Sequence, residues 1–227
     1  MAIKTDNLRI APQGRLLVAA VAVVAFLVAV IAGLPWSLPL WALLLIVVYA
    51  LRDPVRSTPS IPLAVVSPVD GRVISVGVTT DPYTQREGYM IRMHMNRRGA
   101  YVIRCPVEGK INEQWFIKPT GGTTKAPRHA ADPIKADQDR AGRCRAVWIK
   151  TDEDDNITMA IYPRCLFCRP HLDVVTGGRV GHGQRCGILL GGGALVDVFV
   201  PTTSRLDCSA GDRVLAGSDI IATLIHK

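Results

Sequence analysis

Gly187-Ile-Leu-Leu-Gly-Gly-Gly-Ala-Leu-Val-Asp-Val-Phe-Val-Pro201 joins a glycine run to an apolar strand that stops at a proline. The glycines let the backbone turn tightly or approach a ligand, and the β-branched residues that follow suit a buried strand. A run of this kind places the chain among β proteins, with Leu195–Val200 as an inner strand.

Working outward, the same turn-and-strand vocabulary recurs in pairs. Pro68-Val-Asp-Gly-Arg-Val73 is echoed by Pro106-Val-Glu-Gly-Lys-Ile111, and Gly177-x-x-Val180-x-x-Gly183 by Gly211-x-x-Val214-x-x-Gly217. Paired units predict a mainly β, sandwich- or barrel-like domain of quasi-duplicated hairpins, similar in style to lipoyl and biotinyl domains. A carrier of that type needs a lysine at its turn, whereas these turns carry Asp70 and Glu108. Asp70-Gly71 reads as a tight turn between strands Leu63–Val66 and Arg72–Val76, with Val65–Val76 on the inside. Ala146–Ile149 and Ile157–Ile161 flank the acidic turn Asp152–Asn156 as a further hairpin. No amphipathic helix of three turns follows Leu51.

Ahead of the β-rich part lie two apolar runs. Leu16–Leu34 is long enough to span a bilayer as a helix, and Trp36–Leu51 is a second, shorter run with Pro35 and Pro39 at the bend. Trp36 and Trp41 suit interfacial anchors. The expected organisation is a basic N-terminus (1–15), a transmembrane helical hairpin (16–51), a linker (52–62) rich in proline, and one β-rich domain (63–227). Lys4, Arg9, Arg15 and Arg52 flank the outer ends and no charge lies in the connection. Positive-inside bias therefore predicts an inner-membrane protein with both ends and the domain in the cytoplasm.

Composition agrees with a membrane surface. Apolar residues make up 48% of the chain, the net charge is +8, and mean hydropathy is +0.22. Such a basic chain is attracted to anionic lipid. Nucleic acid is the other usual partner, but no zinc-finger spacing, aromatic RNA-binding signature or basic helix is present, so none is expected. Six cysteines lack the density of a disulfide scaffold and read as reduced, buried thiols. Cys165-Leu-Phe-Cys168 with His171 has one Cys-x-x-Cys only, and no metal is expected.

Taken in order, Arg52-Asp-Pro-Val-Arg56, Ser67-Pro-Val-Asp-Gly-Arg-Val73, Gly187–Pro201 and Gly211-Asp-Arg-Val-Leu-Ala-Gly217 resemble the phosphatidylserine decarboxylase family in its short bacterial form. The resemblance runs from about Arg52 to the C-terminus. It implies phospholipid (phosphatidylethanolamine) biosynthesis, a carboxy-lyase activity, and a self-cleavage in which a serine becomes a pyruvoyl group that takes up the substrate amine. It also implies an aspartate and a histidine beside that serine. Asp70 stands at the aspartate. Tyr101, in Tyr101-Val-Ile-Arg-Cys-Pro-Val107, stands at the histidine. The Gly-Ser pair falls on Gly193 and Ala194, with one residue inserted. In an extended strand His94 would lie roughly 20 Å from Tyr101 and on the other side, too far to substitute. His129, His171 and His182 depend on tertiary contacts.

Lys125, Arg128, Arg140, Arg143 and Arg145 belong to a stretch that, by the same resemblance, approaches membrane and substrate. Two of the three chemical positions have changed. The expectation is a membrane-anchored family member that binds anionic phospholipid, phosphatidylserine or a relative, but forms no pyruvoyl cofactor. It would act as a regulatory pseudoenzyme, alone or in an oligomer with itself or an active relative. The alternative is an active decarboxylase with a reorganised centre.

Overall fold

The computed structural model describes residues 12–51, 56–96, 99–117, 144–164, 168, 170–189 and 193–225. Two helices come first, α1 (Pro12–Ala32) and α2 (Leu34–Ala50), and they pack on each other. The bend between them is Gly33, whose φ of +88° costs glycine nothing. Pro35 occupies the first turn of α2, where its missing N–H is not needed, and Pro39 lies inside the helix rather than at the bend. Arg15–Ala32 is long and apolar enough to cross a bilayer, and Leu34–Tyr49 is a shorter apolar helix. Phe26, Ile31, Trp36, Leu45 and Ile46 all point outward.

All other described elements are strands: β1 (Ala64–Val66), β2 (Gly71–Thr80), β3 (Glu87–Met95), β4 (Val102–Arg104), β5 (Gly109–Ile117), β6 (Cys144–Lys150) and β7 (Asn156–Pro163). They continue with β8 (Pro170–Leu172), β9 (Arg179–Val180), β10 (Arg185–Leu189), β11 (Ala194–Pro201), β12 (Arg205–Leu206), β13 (Arg213–Val214) and β14 (Ile220–Thr223). A curled, half-barrel sheet runs β13-β2-β3-β11-β7-β6-β5-β9. Two three-stranded sheets, β1-β14-β12 and β4-β10-β8, complete the domain.

That order is a duplication. Strands β4 to β10 form one unit, and β1–β3 with β11–β14 form a second unit split around it. Exchanging β13, β2, β3 and β11 for β9, β5, β6 and β7 leaves the large sheet unchanged, with the pseudo-twofold between β11 and β7. Hydrogen bonds repeat with it. Gly211 N donates to Val73 O (2.8 Å) and Val73 N to Asp212 O (2.9 Å), just as Gly177 N donates to Ile111 O (2.7 Å) and Ile111 N to Gly178 O (2.9 Å). The units are stitched by a reciprocal pair, Val66 N to Pro106 O (2.8 Å) and Arg104 N to Pro68 O (2.9 Å). The echoed motifs are therefore the joints of two like-folded halves.

One local expectation fails. Asp70-Gly71 does not turn a hairpin, because β1 pairs with β14 and β2 with β3. Instead the Asp70 carboxylate accepts backbone N–H groups from distant segments, which holds the chain where it passes between sheets. The acidic hairpin does form, as β6 and β7 around Thr151–Asp155.

β11 is buried along nearly its whole length, with β3 and β7 on either side. Ala194, Val196, Val198 and Val200 join the main core with Ile91, Met93, Ile149 and Ile161. Leu195 and Phe199 face a smaller cluster on the opposite side with Ala146, Ala160, Tyr162 and Cys144. Burial on both faces accounts for the continuous apolar run, each large side chain contributing about 1.5–3 kcal/mol.

Candidate functional site

Asp70, Tyr101 and the Gly193–Ala194 junction meet at one end of the large sheet. Gly71 pairs with Met95, and Asn96 N donates to Asp70 O (2.8 Å), which sets Asp70 at the end of β3. His94, one residue back from Met95, pairs with Leu195, so Ala194 starts β11 at this same end. Tyr101 arrives from the other unit's sheet: Ala100 N donates to Asp70 Oδ2 (3.2 Å), and Leu189 N donates to Tyr101 O (2.8 Å). Tyr101 is half-buried against the core.

The Asp70 side chain is buried and committed on both oxygens. Oδ1 accepts from Ala216 N (2.8 Å), while Oδ2 accepts from Ala100 N and from the Arg56 guanidinium (2.8 Å). Arg56 belongs to the linker after α2, so this ion pair pins the linker to the domain. At the other corner Gly193 has φ +74°, and its carbonyl accepts from Arg164 N (3.0 Å). The Ala194 methyl is wholly buried in the main core. Gly193 and Ala194 carry no side-chain oxygen or sulfur.

The phosphatidylserine decarboxylase family model matches residues 43–222, from within α2 to the last strand. The chain belongs to the phosphatidylserine decarboxylase family. It is 32% identical to the phosphatidylserine decarboxylase proenzyme of Nitrosomonas eutropha over 94% of both chains. It is 36% identical to the proenzyme of Burkholderia vietnamiensis over 95% of this chain and 96% of that one. No solved structure matches.

Within that family frame, His94 faces away from Ala194, as alternation along the strand implies: it pairs with Leu195, which joins the smaller cluster, whereas Ala194 joins the main core. It is not a straight strand's length from the site, because β3 ends at Met95 and Gly99 N closes a turn on Asn96 O (3.2 Å). The turn folds the chain back, leaving His94 between Arg72 and Leu195, one register step from Ala194. His171 pairs with exposed Asp173 (3.2 Å). His182 occupies the duplicated unit's equivalent of Ala216, where burial, the leading cause, lowers its pKa while Glu108 opposes the shift. Glu108 and Leu63 stand there in place of Asp70 and Tyr101, lining a cleft of about 460 Å³. Lys125, Arg128, Arg140, Arg143, His129 and Cys165 lie outside the described residues. Arg145 is described, stacked over Phe116 at 5.0 Å. Cys168 is buried, and among the described residues no grouping of His, Cys, Asp and Glu could hold a metal.

The sequence reading assigned no role to two anchors of the site. Asp197, in the middle of β11, is fully buried and takes a bidentate ion pair from Arg92 Nε (2.8 Å) and Nη2 (2.7 Å). Beside this pair, the Tyr83 hydroxyl contacts both Cys144 Sγ (2.9 Å) and the Tyr162 hydroxyl (3.0 Å). Burial above all pushes the Cys144 thiol up to about 12, so it stays protonated and packs rather than reacts. An isolated charge in an apolar strand was the available signal for Asp197, and Arg56 gave none beyond its place in a quoted motif.

Proposed function

We propose that this chain is a membrane-anchored member of the family that binds phospholipid without forming a pyruvoyl group. The observation that carries this is the Gly193–Ala194 junction. Self-cleavage needs a hydroxyl or thiol on the residue after the scissile carbonyl and a base within hydrogen-bond reach. Gly187–Pro201 contains no Ser, Thr or Cys. The pyruvoyl group is made from the chain itself, so the residues present do not fit it. Asp70 supports the same reading, since its oxygens bind Arg56 and two backbone amides. What remains is a lipid-facing domain, acting as a regulatory subunit beside an active relative or a second copy. Its ligand would be phosphatidylserine or a related anionic lipid.

A second reading, an active decarboxylase with a reorganised centre, is favoured by one observation: His94 lies beside the start of β11. An assay of carbon dioxide release from phosphatidylserine in mixed micelles separates the two. The first reading expects release at the rate of the protein-free control, and turnover above it would restore the second.

The anchor is proposed to be the α1–α2 pair, crossing the inner membrane as a hairpin, with residues 63–227 as one cytoplasmic domain. Basic Arg15 at the start of α1 and the uncharged Gly33 bend support this orientation. In spheroplasts, a cysteine placed at Ser37 is expected to react with a membrane-impermeant maleimide from the outer face. Reaction only after the membrane is opened would reverse the topology.

A further inference from the structure

The duplication lets one surface of the domain be compared with its counterpart, and at the edge pair of β13 and β2 the two differ. Arg213 and Leu215 are exposed on either side of buried Val214, and Arg72 and Ile74 on either side of buried Val73. Arg213 stands directly opposite Arg72, so these side chains lie on one outward face. Leu215 is 43% exposed and Ile74 47%. In the other unit the same positions, in the same register and with the same bulge, are Arg179, Gly181, Lys110 and Asn112. The apolar pair is absent there, and Arg179 is ion-paired with Asp152. Asp152 follows Lys150 as Asn96 follows His94, so the acid's counterpart is uncharged. One copy of the face is polar and charge-balanced, which suits water. The other sets two neighbouring apolar side chains between arginines, which suits the boundary of a bilayer.

The chain tethers this face to the apolar helices. Ala216, next to Leu215, donates its N–H to Asp70 Oδ1 (2.8 Å), and the Arg56 guanidinium binds Asp70 Oδ2 (2.8 Å). Arg56 follows Ala50, the last residue of α2, by six residues. A chain of that length spans at most about 22 Å. Leu215 is therefore held within a short reach of the end of α2. The acids of the same turn brace its backbone: Asp212 accepts from Ser209 N (2.8 Å) and Asp219 from Leu215 N (2.9 Å). The Gly193–Ala194 junction belongs to this end of the sheet as well, since Arg72 is opposite His94 and His94 opposite Leu195.

We propose that the outward face of β13 and β2, with Leu215 and Ile74 between Arg72 and Arg213, docks on the surface of the bilayer that holds α1 and α2. This rests on the membrane-anchored reading above. The two apolar side chains enter the headgroup layer, while the arginines lay their stems along the apolar boundary and keep their guanidinium groups at lipid phosphates. Docking turns the Gly193–Ala194 end of the domain toward the lipid.

The test uses the full-length protein in nanodiscs of mixed phosphatidylcholine and phosphatidylglycerol. The photo-reactive residue p-benzoylphenylalanine replaces Leu215, Ile74, Asn112 or Leu45, one at a time, and lipid adducts are measured by intact mass after irradiation. Leu45, exposed on α2, reports the anchor, and Asn112 reports the matching face of the other unit. Lipid adducts are expected at Leu215, Ile74 and Leu45, with none above background at Asn112. Adding R72Q/R213Q is expected to lower the yield at Leu215 by about five-fold or more, as the loss of arginines at an anionic surface implies. Adducts at Leu45 alone overturn the docking face and leave the anchor intact. No adduct at Leu45 overturns the anchored reading itself. Cross-links from Leu215 to a second copy of the chain, in place of lipid, would refute the proposal in favour of a protein interface. An unchanged yield in R72Q/R213Q would refute the part assigned to the arginines.

Discussion

Replacing Arg92 with methionine is expected to destabilise the domain by about 3–5 kcal/mol, enough to leave much of the protein unfolded at 37 °C. Methionine matches the arginine stem in length, so the packing of β3 survives and the loss is electrostatic. Asp197 is fully buried between β3 and β7, and Arg92 binds both its oxygens. Removing the cation takes the counter-charge from both oxygens of a buried carboxylate, which either stays ionised at great cost or takes up a proton. The double variant R92M/D197L should recover most of the loss, because replacing both members of a buried pair is often close to neutral. Thermal unfolding of the full chain in detergent measures both variants. An unchanged melting temperature in R92M would show that Asp197 is served by another group.

The second large effect is at Asp70, where this account and an intact catalytic centre part company. Asp70→Ala is expected to cost about 3 kcal/mol or more, since two backbone N–H groups lose their acceptor and Arg56 loses its partner. Asp70→Asn keeps one carbonyl oxygen and should fall between. The same variant should free the linker, so that limited proteolysis cuts near Arg56 in D70A and not in the wild type. In a self-processing enzyme this aspartate would show itself first in cleavage. Here the prediction is a change in stability and linker protection, and a wild-type melting temperature in D70A would remove the structural role.

The duplication was the most legible feature of the sequence, because each joint repeats the same residue types: glycines at positive φ, with a valine pairing back to Gly71 or Gly109. Strand β11 was equally plain, since burial on both faces demands an unbroken apolar run. Strand partners were not legible. Asp70-Gly71 carries the commonest hairpin signal, yet its carboxylate is claimed by Ala100 and by Ala216, which lies 146 residues on. No local pattern encodes a contact of that span. For His94 the side it faces, away from Ala194, was legible from alternation, whereas its separation assumed a continuous extended segment that the turn closed by Gly99 interrupts. The identities at the site, Tyr101 and the Gly193–Ala194 junction, were readable as residues. Their convergence with Asp70 required the sheet.

The central claim is that this member of the family stays in one piece. The intact mass of the purified native chain tests it most directly. A single species near 24.6 kDa, with no carbonyl reactive toward hydroxylamine, is the result expected of a chain whose Gly193–Ala194 junction carries no nucleophile. Two fragments divided near Gly193, the C-terminal one bearing a reactive carbonyl, would contradict it and make the chain a self-processing decarboxylase.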